Sequence, residues 1–428
     1  MTKRFLSKMT EAKKQNAVYS NLRNNMLWNA AGNLVYLGLQ WLITVLVVRI
    51  NGYTDAGILS LAMSISAIFQ NVASFGVRNY QVSDLQSKYT DSQYVSLRWI
   101  TCILSFVLCF GFVQMNSYSL KQEGSILLFM LFRIAENYVD VLHGIAQKRS
   151  RLDLAGKSFL LRGLFTFIAF LLSYFITRNL NFSIACMAII SFIFICLYDA
   201  RKIRRLSEYH LCFKDKKMKE IVLECLPLCI YMILFAALTM IPRYCLERIM
   251  GSETLGGYAS IFAPALLIQA AATYLYVPLI SVFAGYRKTE NVLGYYGLFW
   301  KVTAAILGGT VILVVGAYWI GDVFLDILFG ESILEFSYLF PSIVVCTGLT
   351  AYNSFLCALV TVERHLVGLA VANAVASVIC LGASIWFIHH NGMIGTSYAL
   401  ILSQVLLMII LLFFIISKNN KNCKRRIK

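Results

Sequence analysis

The sequence predicts an all-α, polytopic membrane protein with about 12 transmembrane helices. Its 428 residues are 59% hydrophobic and only 14% charged, with a mean hydropathy of +0.70, which is more apolar than a water-soluble core requires. Apolar runs recur at the length of about 20 residues that a helix needs to cross a bilayer. Residues 405–416 are apolar on every face, whereas the strands of a membrane barrel alternate. Helices are therefore expected, because they satisfy their own backbone groups in lipid.

Twelve apolar segments are long enough to be these spans, with ends placed to within about 2–4 residues. In chain order they cover residues 26–49, 56–76, 98–115, 124–146, 157–176, 181–199, 221–246, 254–285, 297–320, 334–360, 366–388 and 394–417. An even number of spans places both chain termini on the same side of the membrane.

Basic residues indicate which side faces the cytoplasm. Thirty of the 38 Lys and Arg residues fall in the terminal segments and connections that are cytoplasmic if the N-terminus is inside. The alternate connections hold only Arg49, Lys121, Arg178 and Arg248. This bias follows the positive-inside rule and predicts cytoplasmic N- and C-termini. Because the net charge of +17 lies in connections between spans, we expect membrane lipids rather than nucleic acid as partners.

A short polar hinge appears twice and divides the chain into equivalent halves. The Arg-Ile-x-Gly-x-x-x-x-Gly pattern of residues 49–57 returns at residues 248–256, 199 positions later. The first copy joins spans one and two, and the second joins spans seven and eight. Both halves begin on the same side, so the pattern predicts a parallel repeat about an axis along the membrane normal, unless the short match arose by chance.

The predicted domains follow from this repeat and from the basic stretch at its centre. They are a cytoplasmic N-terminal segment (1–25), an N-lobe of six spans (26–200), a basic cytoplasmic linker (201–220), a C-lobe of six spans (221–417) and a basic cytoplasmic tail (418–428). The linker is the most basic connection in the chain, and it lies between the first six spans and the last six.

The fourth span carries a charged face. Arg133, Glu136 and Asp140 are spaced at i, i+3 and i+7 and therefore share one side of a helix. Each ionised side chain in hydrocarbon costs at least about 2.5–3.5 kcal/mol, so this face is expected to line a wet cavity or to meet partners. An ion pair of Arg133 with Glu136 that only locks helix packing is the alternative. Arg162 of span five is expected to pair with Asp140, or else to snorkel to the inner interface.

Other polar residues form a second set of candidates. Asn29 and Asn33 lie one turn apart on span one, where they either hydrogen-bond a polar ligand or hold helices together. Arg49, Arg243 and Arg248 lie near outer helix ends, where they either meet an anionic ligand or serve as interfacial anchors. Pairing of these arginines with neighbouring carboxylates is the further alternative.

Three stretches carry a resemblance to a known family over essentially the whole chain: NLRNNMLWNAAGNL, RINGYTDAGILSLA and LERIMGSETLGGYA. Together with the six-plus-six topology, they resemble the polysaccharide-transport branch of the multidrug, oligosaccharidyl-lipid and polysaccharide exporter superfamily. Within that branch, the sequence is most similar to bacterial flippases of O-antigen or capsule repeat units. Relatives commonly show an Asp-Arg pair at the end of helix seven, where this chain has Glu247-Arg248 and so keeps both charges.

The resemblance implies two six-helix lobes around a central cavity in the bacterial cytoplasmic (inner) membrane. It implies that undecaprenyl-diphosphate-linked oligosaccharide is flipped from the cytoplasmic to the periplasmic leaflet by alternating access. Arg133 is then the leading ligand of the anionic diphosphate lipid. The other predicted cavity residues are Glu136, Asp140, Arg162, Asn33, Asn29, Arg243, Arg49 and Arg248. Glu136 and Asp140 are also candidates for proton coupling, and other polysaccharide export proteins are expected partners.

Two other functions stay open. A cation-coupled drug exporter of the same superfamily would need acidic residues in an apolar cavity, whereas Arg133 in mid-span favours an anionic substrate. A membrane-embedded polysaccharide polymerase or ligase would expose a large outer loop, but the longest outer connection, 321–333, has no His, Lys or Arg. The sequence contains no GxxxxGK[ST] motif, and we expect no enzymatic activity, no cofactor and no metal.

Overall fold

The computed structural model describes residues 2–84, 88–213, 215, 217–363 and 365–426, with side chains except at 2–24, 26, 83, 267, 274, 278, 281, 288, 366 and 417–426. Over these residues, all regular secondary structure is helical. The predicted tail, 418–428, and all but Asn25 of the predicted segment 1–25 lie outside the described side chains.

Fifteen α-helices account for most of the described chain. They are α1 (Thr2–Asn51), α2 (Tyr53–Ser74), α3 (Val77–Ser83), α4 (Asp91–Gln114), α5 (Leu120–Lys148), α6 (Leu152–Thr177), α7 (Leu180–Phe194), α8 (Ala200–Arg204), α9 (Lys217–Met250), α10 (Ser252–Tyr276), α11 (Ile280–Lys288), α12 (Val292–Phe329), α13 (Phe340–Val362), α14 (Leu366–Asn391) and α15 (Ile394–Arg426). A π-helical segment, Ile195–Asp199, continues α7, and 3-10 segments lie at Val277–Leu279 and Glu331–Leu339.

The predicted spans coincide with helices, and the all-α polytopic fold is confirmed. Among the described residues, 11 helices are long and apolar enough to cross a membrane. The predicted fourth span is α5, whose 29 residues are long enough to cross. It is not one of the 11, because Arg133, Glu136 and Asp140 interrupt its apolar character.

The start of α4 differs from the prediction. The helix begins at Asp91 rather than near residue 98. Thr90 and Gln93 cap its first turn reciprocally, since the Gln93 N–H donates to the Thr90 hydroxyl at 3.3 Å and the Thr90 N–H donates to Gln93 Oε1 at 2.8 Å. This capping box adds almost two turns to the predicted span.

The end of α12 also differs from the prediction. The helix continues to Phe329 and ends at Gly330, whose φ of 88° an L-residue rarely adopts. The following residues, Glu331–Leu339, form a 3-10 helix. The connection predicted at 321–333 is therefore mostly helical. The apolar residues of α12 continue past residue 320, where the predicted span ends.

The backbone forms two compact units. The first comprises Met1–Ile43, Val72–Asn116 and Leu127–Cys225. The second comprises Thr44–Asn71, Ser117–Ile126 and Leu226–Lys428. The division into lobes of residues 26–200 and 221–417 stays a prediction.

The repeated hinge meets its own copy within the second unit. A Cβ atom built on Gly57 would lie 1.6 Å from the carbonyl oxygen of Ser252, and one built on Gly256 would lie 1.9 Å from that of Tyr53. Ser252 and Gly256 each lie 199 positions after Tyr53 and Gly57, so the two contacts are equivalent under the repeat. A two-fold axis between like segments produces such reciprocal contacts. Both glycines are needed, because a side chain would keep α2 and α10 apart.

The predicted linker, 201–220, lies partly along α4 in the first unit. The Ser207 hydroxyl donates to the Asp91 carboxylate at 2.7 Å. The backbone N–H groups of His210 and Cys212 donate to serine hydroxyls of α4 at 3.1 and 2.7 Å. These bonds satisfy backbone donors that have no helical partner, so this part of the linker is bound to the first turns of α4.

Candidate functional site

The charged face of α5 lies in the first unit. Arg133 Nη1 donates to Glu136 Oε2 at 2.5 Å, and the two side chains are 21% and 10% exposed. The guanidinium of Arg133 also lies 5.1 Å from the centre of the Phe129 ring. The i, i+3 spacing of the pair therefore gives a direct ion pair, and the other oxygen of Glu136 is available to a second helix.

Helices α1 and α6 complete this group. The Tyr36 hydroxyl of α1 donates to the Oε1 atom of Glu136. The guanidinium carbon of Arg162, on α6, lies 5.2 Å from the Tyr36 ring and 5.7 Å from the Phe159 ring. Three helices thus bring two arginines, one carboxylate and one phenol together, and we call Arg133, Glu136, Tyr36 and Arg162 the arginine site.

A close crossing of α1 and α6 positions the arginine site. A Cβ atom built on Gly32 would lie 2.0 Å from the carbonyl oxygen of Gly156, and one built on Gly156 would lie 2.1 Å from that of Trp28. One helical turn beyond Gly32, Tyr36 packs against Gly163 of α6. The small residues let the backbones touch, which brings the Tyr36 ring alongside Arg162.

Arg162 is buried with unused donors. It is 1% exposed, and within the described part of the chain its Nε and Nη1 atoms have no hydrogen-bond partner. A guanidinium does not lose its proton in proteins, so these donors remain charged. The aromatic rings offset part of the desolvation through cation–π contacts, but they accept no strong hydrogen bond. The planar fork of N–H groups matches a phosphate or carboxylate oxygen.

Asn29 and Asn33 share the face of α1 on which Tyr36 lies. Both are partly buried. Within the described chain, the Oδ1 atom of Asn29 is buried without a hydrogen-bond partner. An amide in this position can bind a hydroxyl of a ligand or a group of a neighbouring helix, so the role predicted for both asparagines stays a prediction.

Asp140 lies one turn further along α5 and pairs with other arginines than predicted. Arg78 of α3 donates to its Oδ1 atom at 2.8 Å, and Arg98 of α4 donates to its Oδ2 atom at 3.1 Å. The predicted pairing with Arg162 is wrong, because Arg162 lies against Tyr36 of α1. The places predicted for Asp140 in the cavity and in proton coupling stay predictions.

Arg98 is the residue of this cluster that sequence reasoning placed wrongly. The predicted third span, 98–115, places Arg98 at its very start, whereas the residue lies two turns inside α4 and is fully buried. Besides Asp140, it donates to the carbonyl oxygen of Ala73 at 2.8 Å. A Thr-x-x-Gln capping box at residues 90–93 was the available signal, since it marks the helix start well before Arg98.

The predicted residue Arg49 lies in the second unit and caps a helix. Its Nε atom donates to the carbonyl oxygen of Leu328 at 3.0 Å, and Nη2 donates to that of Ile327 at 3.0 Å. These carbonyls belong to the last turn of α12, which has no further helical N–H groups to offer them. A cation there also stabilises the negative end of the helix dipole. Substrate contact by Arg49 stays a prediction.

Arg248 and Arg243 lie on aromatic rings in the second unit. The guanidinium carbon of Arg248 lies 4.3 Å from the centre of the Tyr118 ring, and its Nε atom lies 3.9 Å from Oε2 of Glu247. Burial raises the pKa of the Tyr118 phenol, so the ring stays neutral beneath the guanidinium. The guanidinium of Arg243 lies 4.0 Å from the Phe262 ring. Both arginines therefore have packing partners, and their predicted contact with substrate stays a prediction.

The chemistry of the arginine site suits an anion. Two guanidinium groups face a single carboxylate, and the carboxylate already accepts bonds from Arg133 and Tyr36. Among the described residues, no group of three or more His, Cys, Asp or Glu side chains could hold a metal ion. The site therefore offers hydrogen-bond donors and positive charge to a ligand.

Comparison with known sequences gives a family. A sequence model described as "polysaccharide biosynthesis protein" matches residues 22–283, which include α1 from residue 22 onward, all of α2–α10 and all residues of the arginine site. The capsular polysaccharide biosynthesis protein CapF of Staphylococcus aureus is 27% identical over 329 residues, which cover 72% of this chain and 77% of CapF.

Comparison with solved structures gives the fold. The lipid II flippase MurJ in an inward closed conformation matches with a TM-score of 0.72 and 12% identity, over 91% of this chain and 87% of MurJ. An inward-facing multidrug resistance MATE family transporter of the MOP superfamily matches with a TM-score of 0.68 and 12% identity, over 93% of this chain and 96% of the other. At such low identity the likeness concerns the fold alone, which this chain shares with these two proteins.

Proposed function

Because the chain belongs to the polysaccharide biosynthesis protein family, we propose that it flips a polysaccharide precursor across the membrane. The cargo is an undecaprenyl-diphosphate-linked oligosaccharide repeat unit, carried from the cytoplasmic to the periplasmic leaflet by alternating access. The buried Arg162 with unused donors carries this proposal, because a diphosphate supplies the charged oxygens that those donors need. The likeness to MurJ, a lipid II flippase, and to CapF, a capsular polysaccharide biosynthesis protein, supports such a cargo.

The ligand is held, in this proposal, by the two arginines of the arginine site. Arg133 already pairs with the carboxylate of Glu136. In this proposal its guanidinium contacts both Glu136 and the ligand. Arg162 has no carboxylate partner among the described ion pairs and binds the phosphate oxygens most directly. Asn29 and Asn33, which share a face of α1 with Tyr36, are the proposed ligands of the sugar hydroxyls.

The proposed location is the bacterial cytoplasmic membrane, with both termini in the cytoplasm. The distribution of Lys and Arg supports this orientation, since 30 of 38 lie in connections that it places inside. The same orientation gives the cargo a start in the cytoplasmic leaflet, where nucleotide sugars are available. Other polysaccharide export proteins are the proposed protein partners.

A drug exporter is the alternative transporter, because the MATE transporters share this fold. A cationic drug needs an excess of carboxylate in the cavity, whereas the arginine site has two arginines and one glutamate. The charge balance therefore favours the anionic cargo. No described feature favours a polymerase or ligase activity.

Replacing Arg162 by glutamine is expected to lower the flipping rate about 10- to 100-fold, because a hydrogen bond to a charged group contributes about 1.5–3 kcal/mol. The rate is measured in proteoliposomes with a fluorescent undecaprenyl-diphosphate oligosaccharide. A membrane-impermeant quencher added outside reports how much of the labelled lipid is in the outer leaflet. The matched control is Lys301→Gln, which removes one positive charge from an exposed position on α12 and leaves the rate unchanged.

Two further variants separate binding from folding. Arg162→Lys keeps the charge but loses the planar fork, so an intermediate rate is expected. Arg133→Ala is expected to fail to restore surface polysaccharide in a strain that lacks the flippase. A normal flipping rate for Arg162→Gln in a folded protein would refute the proposed ligand role.

Coupling to a proton gradient is part of the proposal, with Glu136 and Asp140 as the sequence candidates. Flipping is expected to speed up several-fold when a pH gradient is imposed across the vesicle membrane, because proton movement then supplies free energy. The measurement compares rates with the gradient and after its collapse by a protonophore. Equal rates would rule out coupling.

A further inference from the structure

His143 of α5 and Asp199 of the π-helical segment form a buried pair in the first unit. The Nε2 atom of His143 lies 3.4 Å from Oδ1 of Asp199, and the two side chains are 1% and 3% exposed. The Phe159 ring packs edge-on against the imidazole, with ring centres 5.0 Å apart. The pair lies outside the arginine site, and the proposed function does not use it.

The hydrogen bonding of this pair is incomplete. Over the described chain, neither imidazole nitrogen of His143 nor the Oδ2 atom of Asp199 has a hydrogen-bond partner. A buried carboxylate oxygen without a donor is unfavourable, and a protonated imidazole beside the carboxylate supplies both a donor and a compensating charge. The π-helical turn that carries Asp199 is a rare element that frequently occurs at functional sites.

The charged and titratable groups around the pair come from α3, α5, α6 and the π-helical segment. They are Arg78, Asp140, Arg162, Asp153 and Tyr198. The arginines keep their charge, and Asp140 already shares its charge with two guanidinium groups. Imidazole is the side chain that ordinarily changes charge between pH 5 and 8, so His143 is the member of this group suited to exchange a proton.

We propose that the His143–Asp199 pair is a proton-binding site. With a proton bound, the imidazolium donates its Nε2–H to Oδ1 of Asp199, and the pair is neutral overall. Without it, a neutral imidazole lies beside a carboxylate, and the pair carries one negative charge. Burial and the positive charges of Arg78 and Arg162 favour the unprotonated imidazole, whereas the carboxylate of Asp199 favours the imidazolium. Proton occupancy therefore responds to the charge of its surroundings.

Arg162 links this site to the cargo, and this step rests on the proposed function. A phosphate bound to Arg162 neutralises the guanidinium, which strengthens proton binding to the pair. By linkage, a bound proton strengthens phosphate binding by the same factor. Cargo loading and proton uptake are therefore expected to occur together.

The proton site is tested by NMR of histidine-labelled full-length protein in lipid nanodiscs between pH 5 and pH 9. His143→Gln identifies the His143 signal, and the exposed His210, His365, His389 and His390 serve as internal references. We expect His143 to titrate, with a midpoint that falls by about one pH unit or more in Asp199→Asn, because the neighbouring carboxylate stabilises the imidazolium. A signal that does not titrate, or a midpoint that Asp199→Asn leaves unchanged, overturns the proposal.

Farnesyl diphosphate, a short lipid diphosphate, tests the link to the cargo in the same samples. We expect it to raise the His143 midpoint by about one pH unit in the unmodified protein and to leave it unchanged in Arg162→Gln. An unshifted midpoint in the unmodified protein overturns the link but not the proton site. If His143 titrates as expected and the flipping assay fails, the proposed function is wrong and the proton site stands.

Discussion

Replacing Gly256 by alanine is expected to slow flipping of the lipid-linked cargo about 10- to 100-fold. The new Cβ atom would lie 1.9 Å from the carbonyl oxygen of Tyr53, so α2 and α10 must separate. The obstacle is backbone, which cannot rotate away as a side chain does. Overpacking of this kind costs about 1–3 kcal/mol, which corresponds to a shift of about 10- to 100-fold in the population that makes the contact.

The expected loss of transport follows from the cycle under the proposed function. Alternating access requires each state to be visited in every turnover, and a state that holds the Gly57–Gly256 crossing would become rare. Gly57→Ala should act in the same way, because its Cβ atom would lie 1.6 Å from the carbonyl oxygen of Ser252. The repeat thus predicts similar defects from two substitutions 199 positions apart.

The measurement has two readouts and a matched control. Flipping is assayed in proteoliposomes, and separation of the helices is followed by the reaction of a membrane-impermeant maleimide with Ser252→Cys in a protein without other cysteines. Gly316→Ala is the control, since no atom lies within 4 Å of a Cβ atom built there and alanine is the better helix former. Normal flipping and normal labelling in Gly256→Ala would show that the crossing does not govern transport.

The sequence was sufficient for the helices and for the fold class, because lipid restricts a chain to a few solutions. Apolar length located the spans, including α5 in spite of its charges. Apolar length was a weaker guide to helix ends, where local capping decides the boundary. The capping box at Thr90 starts α4 before the predicted span, and Gly330 ends α12 after the predicted span.

Sequence spacing predicted contacts within a helix and failed for contacts between helices. The i, i+3 spacing of Arg133 and Glu136 gave their ion pair, since helix geometry fixes it. By contrast, Asp140 was assigned to the wrong arginine, and the pairing of His143 with Asp199 was missed. These pairs depend on how α3, α4 and the π-helical turn pack against α5, and a single sequence does not encode that packing in any short pattern.

Replacing Asp140 by alanine is expected to destabilise the protein by about 3 kcal/mol, the low end of the cost of leaving a buried charge without its partner, because Asp140 itself is 30% exposed. Arg98 is fully buried, and without Asp140 its positive charge has no carboxylate among the described residues. Arg78, which is 24% exposed, loses the same partner. In a chain of 428 residues this corresponds to a fall of roughly 5–10 °C in the midpoint of thermal unfolding.

The stability measurement uses purified protein in one detergent, followed by intrinsic fluorescence during heating. Glu220→Gln is the matched control, because its carboxylate is 59% exposed and lies 4.0 Å from Lys88. An exposed pair of this kind contributes at most about 1 kcal/mol, so the control should unfold within about 2 °C of the unmodified protein. Equal stability of Asp140→Ala and Glu220→Gln would show that the ion pairs of Asp140 with Arg78 and Arg98 do not stabilise the packing of α3 and α4 against α5.

A double substitution separates the structural role of Asp140 from a role in transport. Arg98→Met with Asp140→Asn removes the buried charge of Arg98 together with its partner and keeps similar volumes, so most of the lost stability should return. Flipping measured in the same variant then reports on the transport role of Asp140, because Arg133, Glu136 and Arg162 remain in place. If stability returns while flipping stays absent, the carboxylate of Asp140 is itself needed in the cycle, as its position on the charged face of α5 first indicated.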